Sequence, residues 1–206
     1  TSMDQLLEFY QKTFYAHQFG DMQKVGEKIR DVVDSLREYD FIREDELKET
    51  KIGKKVSDLY IDPDSAHYLL ESLERAEGTE TRAISYLFML SRTSEMAPRL
   101  RVKDKEWSDY QNALQDAEIY LLDSVPNEWE AGYESYLESM KTAMMMQSWV
   151  QEMDEERIMN EFGTAPGGIR AKMQNADWLL YGAKELVRMQ DLDSSEVEKD
   201  IEKLRV

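Results

Sequence analysis

From Gly78 onward no segment alternates apolar and polar residues as a strand does, while helical periodicity recurs over 80–93, 103–123, 128–151, 154–162, 166–190 and 194–205. Six helices on short connections can bury their apolar stripes only against one another, so this region is expected to be a bundle. Ahead of it, Leu6, Leu7, Tyr10, Phe14 and Tyr15 place a helix over 3–18, and Gly20 and Asp21 separate it from a second. That second helix runs through Tyr39 with Val25, Ile29, Val32, Val33 and Leu36 on its inner side. Phe41–Ile42 and Leu47–Thr50 read as two short strands around the acidic tip Arg43-Glu44-Asp45-Glu46. Thr50 can cap a helix carrying Ile52, Val56 and Leu59, and Asp62-Pro63-Asp64 stops it before a fresh helix over 65–76. Helix, helix, hairpin is the winged-helix order. The expected fold is therefore mainly α: a partial winged helix with a short β-hairpin over 4–77, then a six- to seven-helix bundle over 78–206.

Forty-three acidic residues against 26 basic ones give a net charge of -17, which repels nucleic acid at long range unless the basic residues are gathered in one place. Cysteine is absent, which removes disulfides, thiolate zinc sites and cysteine nucleophiles. No window reaches the roughly 18 apolar residues of a membrane helix, so the chain is expected to be cytoplasmic with no membrane contact. Thr1, Ser2 and Met3 read as a vector remnant.

Chemistry-bearing motifs are sparse. There is no Gly-rich phosphate cradle, and Gly163, Gly167 and Gly168 around Pro166 read as a turn that starts a helix. His17 and His67 stand on separate helices, and His67 has Asp64 and Glu71 at helical spacing but no second histidine, so no metal and no catalytic residue is expected. Met140, Met144, Met145, Met146 and Met153 read as adaptable core packing.

The segment 166–190 is the most informative for function. With Ile169 as reference and about 100° per residue, Met173, Ala176, Leu180, Ala183 and Val187 form one stripe, and Trp178 falls on the opposite side. Gln174 and Tyr181 flank Trp178, and Arg170, Lys184 and Arg188 align beside them, with Lys172 a fourth base on the helix. An aromatic and an amide within a basic row suit single-stranded nucleic acid, where bases stack on π faces and cations track phosphates. Packing of Trp178 and Tyr181 against neighbouring helices is the competing explanation. Further basic clusters are Arg99, Arg101, Lys103 and Lys105, and Lys48, Lys51, Lys54 and Lys55.

Four segments together resemble the archaeal Ski-two-like DNA repair helicases: LLEFYQKTFYAHQ, KIGKKVSDLYIDPDSA, SYLFMLSRTSEM and PGGIRAKMQNADWLLYGAKELV. The resemblance implies a winged helix, here without its usual first helix, joined to a ratchet bundle. The long helix of that bundle lies across a single strand as two RecA-like motor domains pull it 3′ to 5′. Those motor domains, with their ATP and Mg, would precede Met3, and no cofactor is implied for this part. By position, Trp178 corresponds to the aromatic that stacks on a base, with Arg170 in the basic stretch before it. Ala171 stands where family members commonly carry a second base, which moves the phosphate contact to Arg170 or Lys172. The implied partners are single-stranded or forked DNA and the motor domains. The alternative is an acidic helical module for protein–protein interaction with no direct nucleic-acid role.

Overall fold

The computed structural model of the chain describes residues 2–13, 18, 22–189 and 195–204. Phe14, Tyr15, His17, Gly20 and Asp21 lie outside the described residues. The chain divides into two compact units between Pro63 and Asp64.

The first unit holds α1 (Met3–Gln11), α2 (Met22–Glu38) and α3 (Lys51–Leu59). Ser2 caps α1: its Oγ accepts from the Gln5 amide at 3.2 Å, and Gln5 Oε1 accepts from the Ser2 amide at 2.9 Å. Ser2 and Met3 thus take part in the fold. On α2, Val25 and Val33 are buried, Ile29 and Leu36 are half-buried, and Val32 faces solvent.

The hairpin expected over 41–50 is not formed. Its pairing reduces to one isolated antiparallel bridge, Ile42 to Glu49. The reason lies at the end of α2, where Asp40 turns left-handed at φ 56. The amides of Phe41 and Ile42 then both point back to the Leu36 carbonyl, at 2.9 and 3.2 Å. Donors spent on a helix terminus cannot found a strand. What remains is a loop closed by Thr50 N–H to the Phe41 carbonyl at 3.0 Å and by Arg43 paired with Glu46 at 3.0 Å.

Thr50 Oγ1 accepts from the Gly53 amide at 3.0 Å, as its capping role requires. Behind that cap the backbones nearly touch: a Cβ on Gly53 would stand 1.8 Å from the Phe41 carbonyl oxygen. Only glycine fits there.

The second unit contains α4 (Pro63–Ala76) beyond its first residue, α5 (Ala83–Ser91), α6 (Trp107–Ala117), α7 (Tyr133–Val150), α8 (Glu155–Phe162), α9 (Pro166–Val187) and α10 (Ser195–Leu204). The division falls earlier than the 77/78 boundary read from sequence because α4 is tied to later segments. Ser65 Oγ accepts from the Ser94 amide at 3.1 Å, and Arg75 Nε donates to the Leu122 carbonyl at 2.6 Å. Asp123 accepts from the Tyr68 hydroxyl at 2.6 Å and pairs with Arg75, which fixes the same joint. Burial, then the Asp123 charge, pushes the Tyr68 hydroxyl well above the usual tyrosine range.

Helix α5 is buried from Ile84 to Ser91 and packs on α7, which also meets α6 and α8. Met140, Met145 and Met146 are buried in α7. Two helices are shorter than their periodicity suggests. Tight turns at Asp104–Glu106 and Glu118–Tyr120 bracket α6, and Gly132 at φ 95 prevents α7 from starting before Tyr133.

A buried lysine is held at the edge of this core by a half-buried glutamate. Lys141 on α7 is 1% exposed, and its Nζ donates to Glu106 Oε2 at 2.7 Å and to the Arg101 carbonyl at 3.0 Å. The ammonium also lies 5.3 Å from the centre of the Tyr110 ring.

Candidate nucleic-acid interface

Helix α9 begins at Pro166, whose missing N–H costs nothing in a first turn. Two polar side chains then fasten it to the turn Ser94–Met96: Lys172 Nζ donates to the Met96 carbonyl at 2.6 Å, and Asn175 Nδ2 to the Glu95 carbonyl at 2.7 Å. Lys172 is 9% exposed, and burial, then the Arg99 charge, pushes its ammonium below the usual lysine range.

The buried stripe read from periodicity is present at Ile169, Ala176, Leu180, Ala183 and Val187, with Met173 half-buried. It is wider than expected, since Leu179, Gly182 and Leu186 are buried as well. The helix packs against α5, α7 and α10, and its remaining face is narrow.

That face carries Arg170, Gln174, Asp177, Tyr181, Lys184 and Arg188, which by helical spacing fall in one row. Arg170, Gln174 and Arg188 are exposed and Tyr181 is 41% exposed, while Asp177 and Lys184 are half-buried. Trp178 is half-buried on the shoulder of the row, one turn from Gln174 and from Tyr181. Of the residues singled out in the sequence, the structure thus brings six to one side of α9 and turns Lys172 inward.

The bases of the row are already matched. Arg170 pairs with Glu155 of α8 at 3.4 Å, Arg188 with Glu185 at 3.3 Å, and Lys184 with Glu202 of α10. The pairs of the exposed Arg170 and Arg188 contribute about 0–1 kcal/mol each, so an incoming phosphate can displace the carboxylate there at small cost, while the Lys184 pair is half-buried.

Beside the row lies a cavity of about 360 Å³ lined by Leu87, Trp149, Met173, Gln174, Asp177 and Leu180. Gln174 and Asp177 belong both to the row and to this cavity. Trp149 is a second half-buried aromatic beside the row, and its one signal in the sequence is an indole in the last turn of the Met-rich α7. The second basic cluster divides: Arg99 caps the end of α5 by donating to the Ser91 and Arg92 carbonyls at 2.6 Å. Lys103 instead reaches the turn between α8 and α9, where its Nζ lies 3.5 Å from the place of a Gly163 Cβ. In the first unit, Lys48, Lys51 and Lys54 are exposed. No helix of the described residues is long and apolar enough to cross a membrane.

Comparison with known proteins places this chain in a family. Residues 84–206 match the family model described as archaeal helicase, domain 4. The chain is 36% identical over 185 residues to the ATP-dependent DNA helicase Hel308 of Methanocaldococcus jannaschii, an alignment covering 88% of this chain and 14% of that protein. Against the helicase of the same name from Thermoplasma volcanium it is 33% identical over 187 residues, 90% of this chain and 25% of that protein. With the Pyrococcus horikoshii protein of that name it shares 31% over 215 residues, covering 100% of this chain and 28% of the relative. It thus spans 14% to 28% of the length of these relatives. The chain belongs to the archaeal Hel308-type DNA helicase family and carries the helical bundle that is domain 4 of that family.

Proposed function

We propose that this chain is the single-stranded-DNA-engaging accessory part of an ATP-dependent 3′–5′ DNA repair helicase, in which the first unit is a partial winged helix and the second a ratchet bundle. The supporting observation is the row on α9: in a chain of net charge -17, Arg170, Lys184 and Arg188 share a face with Gln174, Tyr181 and the shoulder residue Trp178. Trp178 stacks on a base, Gln174 and Tyr181 line the track, and the three bases take phosphates in exchange for Glu155, Glu202 and Glu185. Lys172 serves from behind, holding α9 in place through the Met96 carbonyl. Work is supplied by RecA-like motor domains that bind ATP and Mg, and the first unit docks on them. The DNA is a single strand, free or at a fork.

Anisotropy titration of labelled oligo-dT at low salt tests this reading. The parent chain is expected to bind weakly and Trp178→Ala about tenfold more weakly still, since one base stack contributes about 1–3 kcal/mol. Equal affinity of the two proteins removes the stacking role.

A further inference from the structure

Between Lys105 and Lys141 the chain carries nine carboxylates and no Lys, Arg or His. Glu106 and Asp123 are consumed internally, by Lys141 and by Arg75 and Arg92. Asp116, Glu118, Glu128 and Glu130 are exposed, and among the described residues no cation pairs with any of them. The guanidinium of Arg82 lies 3.6 Å from the centre of the Tyr120 ring and pairs with Glu80.

Set among these carboxylates are two of the most exposed large apolar side chains of the second unit, Trp129 at 89% and Ile119 at 73%. Trp129 rims a cavity of about 350 Å³, shared with Gln115, Glu118, Pro126 and Tyr133. The loop that presents it is ordered by polar contacts: Glu128 accepts from Gln111 Nε2 at 2.7 Å, and Asn127 Nδ2 donates to Glu130 at 2.5 Å. An indole presented this way contributes nothing to the core, yet it has the size, rigidity and π face of an interface anchor.

Charge selects the occupant. Phosphate of nucleic acid or lipid is repelled here, and so is a second copy of the same acidic surface. An arginine-rich protein segment fits on both counts, because a guanidinium stacks on the Trp face and neighbouring cations meet the surrounding carboxylates. We propose that the turn Glu118–Tyr120 and the loop 124–132 form a docking surface for a basic segment of a partner protein, anchored on Trp129. No residue of α9 takes part, so this surface and the strand-engaging row act independently.

The test uses the whole chain and a labelled short peptide alternating arginine and leucine, followed by anisotropy at two salt concentrations. Trp129→Ala is expected to weaken binding about tenfold. Neutralising Glu118, Glu128 and Glu130 together to Gln should weaken it as much and flatten its salt dependence. Trp178→Ala should leave peptide binding unchanged, as should neutralising the first-unit acids Glu44, Asp45 and Glu49. Parent-like affinity for Trp129→Ala overturns the proposal, as does an equal loss from the first-unit neutralisation, which would mean attraction to overall charge alone. A Trp129-dependent dimer of the parent chain, seen by sedimentation without peptide, assigns the surface to self-association and overturns it too.

Discussion

Glu106→Ala is expected to lower the unfolding free energy by about 3–5 kcal/mol, because it strands a charge that water cannot reach. The Lys141 ammonium would keep the Arg101 carbonyl as its remaining hydrogen-bond partner and would lie beside the Tyr110 ring with its paired carboxylate gone. Pairing the change with Lys141→Met should recover most of the loss, since neither charge is then buried. Urea midpoints of the parent, the single and the double variant decide the matter. A single variant within about 1 kcal/mol of the parent, or a double variant no better than the single, contradicts this account.

The same pair sets limits in pH. The hydrogen bond from Lys141 holds the Glu106 carboxyl below the ordinary glutamate range, so its contribution is present above the unfolded pKa and is lost as pH falls through the folded one. Burial and then the Glu106 charge push the Tyr110 hydroxyl up to about 12 from 10.0. A raised phenol pKa contributes stability below pH 10.0 that is lost as pH climbs toward about 12. Glu106→Gln should shrink the acid limb of the stability profile, and Tyr110→Phe the alkaline one.

Two glycines of the first unit should respond to alanine with opposite signs. At Gly53 the new Cβ would stand 1.8 Å from the Phe41 oxygen, 2.6 Å from its carbonyl carbon and 2.8 Å from its Cα. Backbone must move, and with it the Thr50 N–H bond to that oxygen and the Thr50 cap of α3. A loss of about 3 kcal/mol is expected, the upper end for overpacking. At Gly26, within α2, the Cβ would meet Arg30 Nη1 at 3.6 Å and Leu7 Cδ2 at 3.7 Å, ordinary contacts. Alanine there should gain about 0.5–1 kcal/mol from helix propensity. Thermal unfolding of both variants checks the contrast, and a neutral Gly53→Ala would mean that α3 can slide away from Phe41.

The order of helices in the second unit was legible because each buries an apolar stripe, and a stripe is written in the sequence at a fixed period. The α9 stripe from Ile169 to Val187 is the clearest case. The missing hairpin has a local reason: Phe41 and Ile42 have strand-forming side chains, but their amides belong to the end of α2. Lys172 and Arg170 look alike in a charge count. What separates them is the turn Ser94–Met96, contributed by a distant segment that no periodicity on α9 reveals. The carboxylates facing Arg170 and Lys184 come likewise from α8 and α10, so the paired state of the row could not be read from the row itself.

That pairing bears on ionic strength. A strand that binds unpaired cations sheds condensed counterions, and its affinity falls by a logarithmic slope of about 0.7 for each phosphate neutralised. On α9 every phosphate taken up by Arg170, Lys184 or Arg188 in the proposed complex would free a carboxylate, which would recruit a small cation of its own. Ions released by DNA are then largely recaptured by protein. In the proposed complex the grip on the strand would rest on stacking and depend little on salt.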